Sequence, residues 1–285
     1  MKLEEIIIRD PFIVLHDGRY YMYGTTTKNY GDESLRIPGF YCHVSDDLKE
    51  FSAPQPVFVP DGDFWATKDF WAAEVHKWKG AFYLFGSLKA DGVCRGTQIF
   101  KADHPLGPFV PISDGPVTPR DWECLDGTLF VDDDGRPWIV FCHEWVQIHD
   151  GTICTMPLSD DLTKAVGKPV TLFSASQCPW VVSVIGEGNY VTDGPFMFRQ
   201  NGKLCMFWSS FQKEKGYAMG VAVSESGLVT GPWKLLSDKI FDENGGHGMM
   251  FTTKEGSRVI TLHAPNSDGP AHPKLLLADE LLDFV

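Results

Sequence analysis

Five times along the chain an apolar or aromatic run meets a short polar turn containing glycine, and a second apolar run follows. Residues 12–15 and 20–23 flank Asp17-Gly18, and residues 74–78 and 81–85 flank Lys79-Gly80. Residues 128–131 and 138–141 flank Asp134-Gly135, residues 195–198 and 204–208 flank Asn201-Gly202, and residues 249–252 and 258–262 flank Glu255-Gly256. Runs of four to five residues rich in Val, Ile, Phe, Tyr and Trp predict strands. A turn that needs positive φ selects Gly, so each pair predicts a β-hairpin.

The turn glycines stand at 18, 80, 135, 202 and 256, which spaces them by 62, 55, 67 and 54 residues. Each interval holds four short strands, the content of one propeller blade. Two further turns recur between hairpins: Ser45-Asp46-Asp47-Leu48 matches Ser159-Asp160-Asp161-Leu162, and Gly107-Pro108-Phe109 matches Gly231-Pro232-Trp233. The pattern predicts an all-β chain, a five-bladed β-propeller with residues 1–285 as one domain. A β-sandwich with coincident spacing is the alternative. Residues 275–282 read equally as a closing strand or a short helix.

Composition agrees. The chain of 285 residues is 43% hydrophobic and 22% charged, with Gly 28 and Pro 19 marking many turns. A net charge of -13 disfavours a nucleic-acid partner, because phosphate binding needs a basic face. The seven cysteines are odd in number and lack a C-x-x-C pair, which fits buried thiols better than disulfides or zinc. No run of 18 apolar residues predicts a membrane span, and the first residues lack the pattern of a signal peptide. The expected location is the cytoplasm, with no membrane partner; the oligomeric state is not legible.

An aspartate precedes the inner strand in three copies: Asp10 before Pro11-Phe12, Asp126 before Gly127-Thr128, and Asp193 before Gly194-Pro195. His247 holds the comparable place in the fifth copy, and the run from Asp69 to Glu74 occupies it in the second. Inner strands surround one channel, so these side chains converge. Glycoside hydrolysis needs a proton for the leaving oxygen and a base for water. Two carboxyl groups supply both, and a third nearby raises the acid's pKa. A turn-capping role is the bland reading of any one of them.

The motifs Arg9-Asp10-Pro11-Phe12, Trp71-Ala72-Ala73-Glu74, Asp126 before Leu129-Phe130-Val131, Asp193-Gly194-Pro195-Phe196 and Gly246-His247-Gly248 resemble glycoside hydrolase family 43, across nearly the whole chain. The resemblance implies inversion at the anomeric carbon, with Asp10 as general base, Asp126 as pKa modulator and Asp193 as general acid. It implies an exo-acting hydrolase of α-L-arabinofuranosyl or β-D-xylosyl groups on oligosaccharides or polysaccharides, with galactofuranosyl groups also open. It further implies a hydrated cation such as Ca2+ near His247, and no organic cofactor. One departure stands out: the family's usual acid is Glu, and Asp193 is shorter by one methylene, about 1.5 Å. Glu187 in Gly186-Glu187-Gly188 is the nearest substitute.

Sugar pockets set aromatic faces against C–H surfaces, and the expected substrate contacts are Trp71, Glu74, Trp145 and Trp208. His143, Glu144 and Gln147 are candidates for the rim, and Arg9 and Arg199 for hydroxyl partners. Two rival readings accompany the hydrolase. One is a non-catalytic sugar-binding propeller; the other is a retaining enzyme, with carboxyls about 5–5.5 Å apart instead of about 6.5–9.5 Å.

Overall fold

The computed structural model describes residues 1–26 and 38–285. Each predicted hairpin forms and starts an antiparallel sheet. The first blade runs β1 (Ile8–His16), β2 (Arg19–Thr26), β3 (Phe40–Ser45) and β4 (Gln55–Phe58). The second runs β5 (Lys68–Trp78), β6 (Ala81–Ala90), β7 (Val93–Ala102) and β8 (Val110–Pro111). The third runs β9 (Cys124–Val131), β10 (Pro137–His143), β11 (Thr152–Pro157) and β12 (Val170–Ser174). The fourth runs β13 (Asp193–Gln200), β14 (Lys203–Gln212), β15 (Gly216–Ser224) and β16 (Trp233–Phe241). The fifth has three strands: β17 (Gly246–Thr252), β18 (Arg258–Ala264) and β19 (His272–Leu277). These five sheets form a five-bladed β-propeller, and the sandwich alternative falls away. The C-terminal segment is both of its readings in turn, since β19 leads into a helix at Ala278–Leu281.

The core is divided into five layers, one between each pair of neighbouring blades. This explains why the second strands are apolar on both faces. On β6, Phe82 and Leu84 enter the layer shared with the first blade, while Tyr83 and Phe85 enter the layer shared with the third. Successive side chains of a strand point to opposite faces, so a strand between two layers has no solvent face. The ring closes where the first and fifth blades share Ile8, Phe12, Met22, Met249 and Phe251. The Ile8 N–H donates to the Ala271 carbonyl at 3.0 Å.

The recurring accessory turns also sit where the repeat put them. Both Ser-Asp-Asp-Leu segments leave a third strand, with Leu48 and Leu162 at φ 63° and 61°. Both Gly-Pro-aromatic segments lead towards a fourth strand. All seven cysteines are free thiols, six of them buried.

Candidate active site

Every inner strand carries a bulge at the end where it enters the ring. The pairing with the second strand slips between Arg9 and Phe12, Trp71 and Glu74, Leu125 and Thr128, Asp193 and Phe196, and Gly246 and Met249. The first extra residue of each bulge has a left-handed backbone: Asp10 at φ 54°, Ala72 at 45°, Asp126 at 56°, Gly194 at 54° and His247 at 50°. Bulges re-aim side chains, and here they turn three ionisable groups into the mouth of the channel. The register also corrects the apparent equivalence of the three aspartates. Asp10, Asp126 and His247 stand on the bulge, whereas Asp193 stands one residue before it, opposite Ser209 and level with Arg9, Trp71, Leu125 and Gly246.

Despite that offset, all three aspartates line one pocket of about 220 Å³, with Arg9, Thr25, Trp71, Leu125, Tyr217 and His247. The pocket is smaller than the roughly 300–1,000 Å³ of sites for drug-sized ligands. His247 ties two of the carboxylates together. Its Nδ1 lies 3.1 Å from Asp10 Oδ1 and 3.6 Å from Asp126 Oδ2. Thr25 donates its hydroxyl to Asp10 Oδ2 at 2.6 Å, the Gly194 N–H donates to Asp126 Oδ2 at 3.0 Å, and the Tyr217 hydroxyl donates to Asp193 Oδ2 at 2.9 Å.

These surroundings drive the carboxyls apart in charge. Burial alone would raise the Asp10 carboxyl, but the charge and hydrogen bond of His247, with help from Arg9, hold it well below the usual carboxylate range. Burial, reinforced by Asp193 and Asp10, pushes the Asp126 carboxyl up to about 8 against the pull of His247. Burial also raises Asp193, opposed by His247 and by the Tyr217 hydroxyl. Burial disfavours a charged His247, yet the surrounding carboxylates carry its ring up to about 10. His263 is the contrary case: burial lowers it to about 4. The Asp10 N–H donates to His263 Nδ1 at 3.1 Å, which leaves the ring proton on Nε2 facing Asn266 Oδ1 at 3.0 Å. The pocket thus sets one carboxylate, kept ionised beside the His247 imidazolium, against two carboxyls that burial raises.

The other expected site residues divide. Trp71 lines the pocket, with the Arg95 guanidinium 4.1 Å from its ring centre. Arg95 is itself held between Asp69 and Glu144, both buried or nearly so. Glu144 is therefore a structural partner of Arg95. Glu74, expected to contact substrate, is buried on β5 and bonds His76 at 3.0 Å, outside the pocket lining. Trp208, expected to contact substrate, is fully buried. Leu204, Met206 and Trp208 share one face of β14, and the indole packs 5.2 Å from Phe173 and 5.3 Å from Trp180, ring centre to ring centre. Trp145, also expected there, is half-buried in a short helix (Trp145–Ile148) after β10, outside the pocket lining. His143 stacks on Trp122 and bonds Gln147, away from the lining. Arg199 pairs with Asp133 at the far end of β13, and Glu187 is exposed. Tyr217, Thr25 and His263 were missed. Tyr217 lies on a third strand with no motif to mark it, but Thr25 and His263 could have been found by extending the five-fold alignment to the second strands.

The Nδ1 of His247, the residue expected to stand near a cation, faces Asp10 and Asp126. Among the described residues no group of three or more His, Cys, Asp or Glu side chains is arranged to hold a metal ion. What the structure shows of His247 is its place as counter-ion to Asp10 and Asp126.

A propeller whose inner strands deliver paired carboxyls of opposed ionisation into a pocket of this size has the architecture of a glycosidase. The chain belongs to glycosyl hydrolases family 43, whose model matches residues 5–277. Among its relatives is an endo-arabinase from Bacteroides thetaiotaomicron, whose crystal structure superposes with a TM-score of 0.88 at 39% identity over 97% of this chain and 96% of that one. An extracellular exo-α-(1→5)-L-arabinofuranosidase from Cellvibrio japonicus is 23% identical over 85% of this chain and 71% of its own length. A β-D-galactofuranosidase from Aspergillus niger is 24% identical over 89% and 73%. The protein is a glycosidase, and its chemistry calls for no organic cofactor.

Proposed function

We propose that this glycosidase hydrolyses α-L-arabinofuranosyl linkages of arabinan-type oligosaccharides by an inverting mechanism, one sugar unit filling the pocket in exo fashion. The observation that carries the reading is the pairing, within one pocket, of a carboxylate held ionised by His247 with carboxyls held up by burial. Asp10 is the group able to take a proton from water, and Asp193 the group able to give one to the leaving oxygen. Two titratable groups pushed apart by their surroundings mark the base and the acid. Asp126, bound to His247 and to the Gly194 N–H, stands beside Asp193 in the same pocket and orients it. The shorter arm of Asp193 is anchored by Tyr217, which fixes the direction in which its proton faces. The arabinofuranosyl choice follows the relatives named above, and β-D-xylosyl substrates come second.

The test is turnover of aryl α-L-arabinofuranosides, β-D-xylosides and β-D-galactofuranosides, with short arabinan oligosaccharides beside them. Wild-type protein should act on the first class, and Asp10→Asn and Asp193→Asn should each lose at least ~100-fold in kcat. NMR of the first-formed product should show the inverted anomer. Retained configuration would overturn the mechanism; binding without cleavage would leave a sugar-binding propeller.

A further inference from the structure

The five bulges are joined to one another by a repeated hydrogen bond. In each blade, the second-strand residue opposite the position before the bulge is Thr25, Ser87, Cys142, Ser209 or His263. Four of these bond the bulge of the next blade, and the Cys142 thiol meets the side chain of Thr192, two residues before the bulge residue Gly194. The Ala72 N–H donates to Thr25 Oγ1 at 2.7 Å, the Asp126 N–H to Ser87 Oγ at 2.9 Å, the His247 N–H to Ser209 Oγ at 2.8 Å, and the Asp10 N–H to His263 Nδ1 at 3.1 Å. Four of the five joints therefore use a strong acceptor from the preceding blade.

The joint between the third and fourth blades differs. Its second-strand residue is Cys142, fully buried, whose thiol is a poor acceptor and is kept neutral by burial. Here the N–H of the bulge residue Gly194 goes to Asp126 Oδ2 instead, at 3.0 Å. The first joint shows what a hydroxyl does in the same place. Thr25 accepts the Ala72 N–H and donates its own hydroxyl to Asp10 Oδ2, standing between backbone and carboxylate. A buried N–H without a partner costs about 1–3 kcal/mol, so one acceptor or the other must be present.

We propose that Cys142 is a positioning residue: by withholding a hydroxyl from this one joint, it leaves the Gly194 N–H to Asp126 and so draws that carboxylate towards Asp193. A hydroxyl at 142 would insert itself as Thr25 does, and Asp126 would retreat by about the length of one hydrogen-bonded oxygen. Gly194 is part of the same arrangement. A Cβ on it would stand 2.6 Å from His247 Cδ2, so the close approach needs glycine. Since Asp126 acts on the acid Asp193, the retreat would be felt where proton donation limits the rate. This rests on the functional reading above.

The experiment compares Cys142→Ser and Cys142→Thr, which supply the hydroxyl, with Cys142→Ala, which removes the sulfur without replacing it. Aryl arabinofuranosides with poor and good leaving groups are the substrates. Cys142→Ala should keep kcat within about twofold of wild type. The hydroxyl variants should lose ~10-fold or more in kcat on the poor leaving group, with KM unchanged and little loss on the good one, as misplacement of a catalytic array by about 1 Å predicts. If all three variants behave alike, whether all active or all impaired, the sulfur only fills space and the proposal is overturned. The crystal structure of Cys142→Ser decides the joint without reference to activity. The Gly194 N–H should move to the new hydroxyl; if it stays on Asp126, the proposal is overturned. Failure of wild-type protein to cleave any glycoside would instead refute the functional reading, with the joint still judged by the crystal structure.

Discussion

Replacing His247 by Asn removes the imidazolium that touches both Asp10 and Asp126. Asn is the apt substitution because it cannot be charged and tolerates the left-handed backbone that His247 adopts at φ 50°. Removing one partner of a buried pair typically costs about 3–5 kcal/mol. Unfolding entropy near 2.1 cal/mol/K per residue gives roughly 0.6 kcal/mol/K for a chain of this length, so Tm should fall by about 5–8 °C. The pH dependence makes the expectation sharper. The folded pKa of His247 is raised from 6.5 to about 10, so its stabilisation is complete below pH 6.5 and is lost as pH rises towards 10. The folded pKa of Asp10 is depressed, so its contribution holds above the unfolded value of 3.8 and is lost as pH falls through the folded one. The Tm gap between wild type and His247→Asn should therefore be widest between about pH 4 and 6.5 and shrink towards pH 10. Activity should move as well. Without its counter-ion the buried Asp10 keeps its proton to higher pH, and the acidic limb of kcat/KM shifts upward by one unit for each ~1.4 kcal/mol of lost interaction. Calorimetry across pH 4–10 and a pH–rate profile on an aryl arabinofuranoside read both effects. An acidic limb that stays in place, with Tm within 2 °C of wild type at about pH 6, would refute the assignment of His247 as the group that keeps Asp10 ionised.

Tyr217→Phe removes the hydroxyl that donates to Asp193, whose carboxyl should then titrate higher, moving the alkaline limb of the pH–rate profile upward by up to about one unit, given ~0.5–1.5 kcal/mol for such a bond. Trp71→Ala and Trp208→Ala should separate cleanly in steady-state kinetics and calorimetry. The first raises KM with little change in Tm, while the second costs ~3–5 kcal/mol of stability and leaves KM within twofold. Gly194→Ala forces a Cβ into His247 at a left-handed φ, so about 2–4 kcal/mol of stability and most of the activity should go together, as thermal melts and turnover would report.

Much of the fold was legible because hairpins are local. A glycine turn between two β-branched or aromatic runs declares itself within a dozen residues, and five of them at similar spacing imply a ring. The two accessory turns were legible for the same reason. Trp208 was misread because an aromatic on a second strand looks alike whether it faces a ligand or a neighbouring blade; only the layer it enters distinguishes them. Asp193 was aligned one residue off because a bulge adds a residue without leaving a mark in the apolar pattern. The pairing of His247 with two carboxylates was not legible because both lie more than a hundred residues away in the chain, on other blades.

By itself, then, the sequence determined the strands, the turns, the number of blades and the presence of three aspartates at the mouths of inner strands. These follow from periodicity, turn chemistry and motifs, all properties of neighbours in the chain. The tertiary structure alone decided which aspartate carboxyl is lowered, which are raised, and that His247 pairs with Asp10 and Asp126. Those depend on burial and on charges brought together from residues 10, 126, 193 and 247. It also decided that the backbone N–H of one blade is satisfied by the carboxylate of another, an arrangement that exists only once the ring has closed.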